Sequence, residues 1–186
     1  MKVFDRKRQP DVVRAALIQA AIDGALQYGL AGVTVQEIAS LAGVTKGGLF
    51  HYFPCKQDLI DAAFCECLNE FSESINTLMQ RDDIVHGRFT RAYITATIDT
   101  CISDNRAHAW FAFSTLTDKR QSAAWHSWML TKLDEHNVER DSSMLQIARH
   151  AADGFWLKSI GTSVSKDDAA SAILLKASLI SLTMPR

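Results

Sequence analysis

Apolar residues recur along most of the chain at intervals of three and four, the period of a helix buried on one side. Val13, Leu17, Ala20, Ala21 and Ala25 draw such a stripe on a helix over 10–28. Pro10 and Asp11 suit its first turn, and Gly29 its stop. Thr34-Val35-Gln36-Glu37 is a capping box opening a second helix, whose apolar face is Ile38, Leu41 and Ala42 and whose end is Gly43. Thr45 caps a third helix, which runs to about Phe53 and is stopped by Pro54. A long fourth helix, about Lys56 to Gln80, carries Leu59, Ala63, Cys67 and Phe71 on one stripe. Further helical patterns cover about 84–103, 106–116, 119–139, 142–160 and 166–182, separated by polar breaks such as Arg81-Asp82-Asp83 and Ser103-Asp104-Asn105. No segment alternates as a strand does, and there is no internal repeat or low-complexity tract. The expected fold is all-α with about nine helices. A three-helix N-terminal domain over 1–55 is followed by a helical domain over 56–186, with the fourth helix in place of a flexible linker.

Composition changes this picture little, but the distribution of charge changes it more. The 186 residues are 47% hydrophobic and 22% charged, with a net charge of −1, ordinary values for a globular protein. Up to Lys56 there are seven Lys and Arg against four Asp and Glu; beyond it, thirteen against seventeen. The basic part coincides with the short helices, as a local footprint on nucleic acid would. The N-terminus MKVFDRKRQPD lacks the apolar core of a signal peptide, and no stretch is a charge-free membrane span. Cys55, Cys65, Cys67 and Cys101 show no zinc spacing. The expectations are a reduced, cytoplasmic protein with no metal, no cofactor and no membrane partner.

The second and third helices are short, and the third is built unlike a packing element. Over 45–53 it carries Lys46, Gly47, Gly48, His51 and Tyr52 where a core helix would carry leucines. Two short helices joined at a glycine, over about 34–53, read as a helix-turn-helix whose second helix enters the major groove of DNA. Each glycine costs a helix about 1 kcal/mol relative to alanine. Close approach of the backbone to a duplex would explain the pair, and relaxation of the turn is the plainer explanation.

Residues 11–60 resemble the DNA-binding domain of the TetR family of transcriptional regulators. The features that carry this are LIQAAIDGALQYG, then G-V-T-V-x-E-I-A-x-x-A-G-V, then K-G-G-L-F-H-Y-F-x-x-K-x-x-L. The resemblance implies phosphate contacts from Thr34 and Thr45 and closest approach to the bases at Lys46, Gly47 and Gly48. It implies backbone or thymine-methyl contacts from Phe50, His51 and Tyr52, and a phosphate held by Lys56. Two positions depart from the family pattern. Ala25 stands where a large aromatic is common, with Leu26 beside it to fill the space. Cys55 stands where Ser or Asn usually caps the fourth helix.

The resemblance also implies a ligand-binding body and a dimer interface made by the last two helices. All four tryptophans lie in the body, and Trp110, Phe113, Trp125, Trp128, Asp153 and Trp156 are the candidate ligand contacts. Ordinary core packing explains the aromatics as well. Asp153, beside Gly154 among apolar neighbours, must find a partner, meet a ligand cation or face solvent. Met144, Ala148, Ala151 and Phe155 on one helix, with Ala169, Ile173, Ala177 and Ile180 on the next, are the candidate dimer stripes. The expected function is that of a homodimeric repressor on a palindromic operator, released by a small apolar or aromatic effector. The alternative is a helical binding protein or enzyme without DNA function. Against an enzyme, the chain has no nucleophile-elbow, phosphate-loop or zinc-protease motif, and its Ser163-Val164-Ser165-Lys166 and Ser103-Asp104-Asn105 stand in the wrong order for a β-lactamase.

Overall fold

A computed structural model describes residues 10–29, 32–103, 118–159 and 166–185. Among the described residues there are nine helices and no strand. In chain order they are α1 (Pro10–Tyr28), α2 (Val35–Leu41), α3 (Lys46–Tyr52), α4 (Lys56–Gln80) and α5 (Arg88–Ile102), then α6 (Lys119–Glu135), α7 (Asn137–Arg140), α8 (Ser143–Ser159) and α9 (Lys166–Leu182). The helix expected over 106–116, with Trp110 and Phe113, lies outside the described residues. The chain forms two compact units that meet within α4, between Glu66 and Cys67. The expected boundary falls at the start of that helix. Its first turns, with Leu59, Ile60, Ala63 and Phe64 buried, count with the N-terminal unit.

In the N-terminal unit the whole predicted stripe of α1 is buried. Val33, Ile38, Leu49 and Phe53 complete the core beneath it. Leu41, expected there, is 51% exposed. Leu26 is 41% exposed while Ala25 is buried, so Leu26 does not fill the space of a missing aromatic. The helix ends follow the chemistry of their sequence. Glu37 N donates to Thr34 Oγ1 (3.2 Å) while Thr34 N donates to Glu37 Oε2 (2.7 Å), closing the capping box. These bonds, the backbone amide first, hold the Glu37 carboxyl below its ordinary range. Gly29 (φ 74°) and Gly43 (φ 65°) take the left-handed conformation that lets the chain leave α1 and turn from α2 into α3.

The C-terminal unit is built around α5, where Phe89, Ala92, Tyr93, Ile94, Ala96 and Ile98 are all buried. α8 and α9 pack on α5 and on each other, through small residues such as Ala148, Ala152 and Ala172. One helix was expected over 119–139. It breaks at His136 (φ −117°, ψ 49°), whose ring stacks on Phe89 at 5.0 Å. The break turns Glu139 of α7 inward to the first turn of α5. There its Oε1 accepts from Phe89 N (2.9 Å), and its Oε2 from both the amide (2.9 Å) and the hydroxyl (2.6 Å) of Thr90. A helix start leaves amides without intrahelical partners, and a carboxylate satisfies them and complements the helix dipole. Arg149, also buried, donates through Nη1 to Thr90 Oγ1 (2.6 Å), so its charge lies within the same network. Arg91 ties down the preceding loop, donating to Asp82 Oδ2 (2.6 Å), His86 O (2.7 Å) and Ile84 O (2.5 Å). Its guanidinium holds the Asp82 carboxyl below the usual range.

Candidate functional site

The first candidate site is the outer face of α3. Thr45 Oγ1 accepts from Gly48 N (3.0 Å) and starts the helix, and Phe53 N closes it on Leu49 O. Leu49 alone of α3 is buried, which turns Lys46, Gly47, Phe50 and His51 outward together. Lys46 Nζ stands 6.0 Å from the Phe50 ring centre, a cation–π distance that steadies a flexible ammonium beside an exposed aromatic. His51 meets Tyr52 edge to face at 5.3 Å, and Tyr52 is half-buried. The two glycines differ. A methyl group on Gly47 would meet nothing beyond its own turn within 4 Å, whereas one on Gly48 would lie 3.2 Å from the capping oxygen Thr45 Oγ1. The structure thus accounts for Gly48 by packing within the chain and leaves Gly47 open to the outside.

α4 begins at Lys56, soon after α3 ends at Tyr52. Cys55 fills the capping position through sulfur, since Asp58 N donates to its Sγ at 3.4 Å. Lys56 is half-buried and donates through Nζ to Val33 O (2.5 Å), fastening α4 to the residue before the capping box. The phosphate role expected of Lys56 therefore competes with an internal bond that spacing alone did not reveal.

The second candidate site lies in the C-terminal unit. Phe71 of α4 is its hub. Its ring centre is 5.7 Å from Tyr93, 6.1 Å from Trp125 and 5.6 Å from Trp128, and the two indoles are 5.1 Å apart. Trp128 Nε1 donates to Ser72 Oγ (2.6 Å). The Tyr93 hydroxyl, itself buried, donates to Asp153 Oδ1. The other carboxylate oxygen has His150 Nδ1 at 3.7 Å, beyond hydrogen-bond reach. Burial pushes the Asp153 carboxyl above its ordinary range, against the downward pull of Tyr93, His150 and Arg149. Burial, followed by the Asp153 charge, pushes the Tyr93 hydroxyl well up. Burial lowers the Arg149 guanidinium from its ordinary value, against the pull of Glu139, Tyr93 and Asp153. Trp125, Trp128 and Asp153 are thus linked through Phe71 and Tyr93, while Trp156 is half-buried on α8.

Tyr93, Thr90, Glu139 and Arg149 were not anticipated. Arg149 had a legible signal: it shares a stripe with Leu145, Ala148 and Ala152, where a cation needs a buried partner. A separate open groove of about 410 Å³ between α4 and α5 is edged by Ser74, Thr77, Arg81 and Asp99. Asp99 accepts there from Lys176 Nζ (2.5 Å). Among the described residues no three His, Cys, Asp or Glu come together as a metal site, and no helix is long and apolar enough to cross a membrane.

The expected dimer stripes divide. Ala148 is fully buried in the subunit's own core, against which Ala151, Phe155 and Ile180 also pack, because α8 turns that side to α5. Met144, Ile173 and Ala177 face outward. With them stand Ile147 and Leu174, 57% and 69% exposed, which the expected stripes left out.

Residues 17–63 match the family described as bacterial regulatory proteins, tetR family, and residues 87–183, just over half of the chain, match the tetracyclin repressor-like C-terminal domain. Both are domains of regulatory proteins rather than enzymes. The HTH-type transcriptional regulator RutR of Escherichia coli (strain K12) is 38% identical over 64 residues, 34% of this chain and 30% of RutR. The HTH-type transcriptional regulator BetI of Pseudomonas aeruginosa is 28% identical over 105 residues, 54% of this chain and 52% of BetI. The chain therefore spans about a third to a half of the curated relatives it matches. Among solved structures, the multidrug binding protein EbrR complexed with malachite green aligns at a TM-score of 0.70 with 19% identity, covering 92% of this chain and 98% of that one. The fatty acid degradation regulator FadR from Bacillus halodurans aligns at 0.72 with 19% identity, covering 94% and 97%. At such identities the likeness is one of fold.

Proposed function

The chain belongs to the TetR family of DNA-binding transcriptional regulators, and from that premise we propose that it is a homodimeric repressor whose α3 reads a palindromic operator and whose C-terminal unit takes a small aromatic effector. The observation that carries the reading is the outward face of α3, where Lys46, Gly47, Phe50 and His51 stand together and, among the described residues, nothing beyond its own turn lies over Gly47. Lys46 supplies charge for phosphate or the acceptors of guanine, and Gly47 lets the helix backbone close on the duplex. Thr34 and Thr45 spend an acceptor lone pair on their own helices, which leaves each exposed hydroxyl a proton to donate to phosphate. Tyr52 is half-buried beside His51, and Lys56 fastens the start of α4 to Val33.

A palindrome requires two copies of α3 about 34 Å apart, or a multiple of it. The outward apolar residues of α8 and α9, Met144, Ile147, Ile173, Leu174 and Ala177, supply a surface for two-fold pairing. The aromatic cluster around Phe71 suits an aromatic effector, and EbrR of the same fold is described in complex with malachite green. α4 carries both Phe71 and Lys56, so a ligand that displaces Phe71 acts on the helix that Lys56 anchors. Release follows if the ligand binds the DNA-incompetent state better, by the difference of its two affinities.

The test is a gel shift with the DNA flanking the protein's own gene, using wild type and Lys46→Ala. Wild type is expected to select one fragment over random DNA, and Lys46→Ala to weaken binding about tenfold. Equal binding of every fragment by wild type would overturn the reading.

A further inference from the structure

We propose that Asp153, with Tyr93 and the aromatic wall of Phe71, Trp125 and Trp128, makes the effector site selective for a lipophilic organic cation. This rests on the effector reading above and names its ligand class. An aspartate in an apolar setting is normally matched by a cation or by several donors. Here Oδ1 has one neutral donor, the Tyr93 hydroxyl, and Oδ2 has only His150 at 3.7 Å, a side chain 70% exposed to solvent. Arg149, whose charge also favours the Asp153 carboxylate, donates to Thr90 in the network that holds Glu139. Among the described residues the carboxylate thus has one neutral donor, an exposed His150 and an Arg149 already engaged elsewhere, and its side chain keeps 38% of its surface accessible.

The neighbours match the other half of such a ligand. Phe71, Trp125 and Trp128 are each only half-buried, although all three rings lie in contact range of one another. Trp128 has its N–H occupied by Ser72, so its remaining offer is its ring face. Aromatic faces attract cations through their quadrupole and also take apolar groups. Phe71 against Tyr93 joins these faces to the carboxylate. An anionic ligand meets repulsion from Asp153, and a neutral one leaves that charge uncompensated.

The test is calorimetric titration of the intact protein, without DNA, with tetraphenylphosphonium and with tetraphenylborate, which share shape and differ in the sign of charge. Wild type is expected to bind the cation at least about tenfold more tightly than the anion. Asp153→Asn should remove most of that difference, and Asp153→Glu, which keeps a carboxylate at the site, should retain part of it. Circular dichroism establishes that each variant is folded. No binding of the cation by folded wild type, or the same preference in Asp153→Asn, overturns the proposal. Binding of the cation with no release of operator DNA would leave the subsite standing and defeat effector control instead. A failed gel shift would bear on DNA recognition alone.

Discussion

At Gly47 a methyl group would point into open space, and at Gly48 it would press on the oxygen that caps the helix. Gly47→Ala should therefore leave the fold intact or stabilise it by up to about 1 kcal/mol, through helix propensity and a less disordered unfolded chain. On the proposed reading it should also weaken operator binding, because the added group would stand between the helix backbone and DNA. Gly48→Ala should gain less, since crowding Thr45 Oγ1 erodes a cap worth about 1 kcal/mol. Thermal melts and gel shifts on the two variants check this, and a Gly47→Ala protein that binds DNA like wild type would refute the close approach. Asp153 gives a second contrast. Its folded pKa is raised above the ordinary 3.8, so at neutral pH its ionised form burdens the fold, and stability is recovered as pH falls through the folded value towards 3.8. Tyr93, His150, Arg149 and, through Arg149, Glu139 are the titratable groups around it. Asp82 runs the other way: its pKa is lowered by Arg91, so its contribution is present above 3.8 and is lost as pH falls through the lower folded value. Asp153→Asn is thus expected to melt higher than wild type at pH 7, with the gap closing towards pH 4. A gap that is constant with pH would show that burial of the charge is not the cause.

The helices themselves were legible because their stripes and caps are local. The α1 stripe, the Thr34–Glu37 box and the Thr45 cap all form between residues a few positions apart. The break at His136 was not legible, because its reason is distant in sequence: Glu139 must reach the amides of Phe89 and Thr90. Glu139→Ala strips two buried amides, the Thr90 hydroxyl and the nearby Arg149 charge of a shared acceptor, which should cost about 3–5 kcal/mol. Glu139→Gln keeps one carbonyl oxygen and should cost less. Urea unfolding followed by tryptophan fluorescence reads the C-terminal unit, which holds every tryptophan. A loss below about 1 kcal/mol for the alanine variant would mean that the α5 cap contributes little. The same distance effect explains why Asp153 could be singled out from sequence while its partner Tyr93 could not: apolar neighbours marked the first, and only packing of α8 on α5 brings up the second.

Pairing of two molecules is a property of the whole surface, and there the helical period alone does not say which side of a helix is free. A stripe of small residues on α8 looks the same whether it faces its own core or a second copy. Packing on α5 claims Ala148, Ala151 and Phe155 of the expected stripe, and the outward side keeps Met144 and adds Ile147. On α9 the outward side holds Ile173, Leu174 and Ala177. Large aliphatic side chains left more than half exposed on adjacent helices gain little from solvent, and burying them against a two-fold mate stabilises association by about 25 cal/mol per Å² removed from water. Ile173→Asp with Leu174→Asp places charge in that surface without touching the buried side of α9, where Ala172 and Leu179 pack. The expected protein is helical, melts near wild type and sediments as a monomer. Because each half-site then binds alone, affinity for a palindrome should fall by at least about a hundredfold, while affinity for an isolated half-site stays the same. Sedimentation equilibrium and gel shifts on full and half operators measure both. If the double variant remains a dimer, the contact lies on another face. If it is a monomer that still holds the palindrome as wild type does, the operator is not read by a pair.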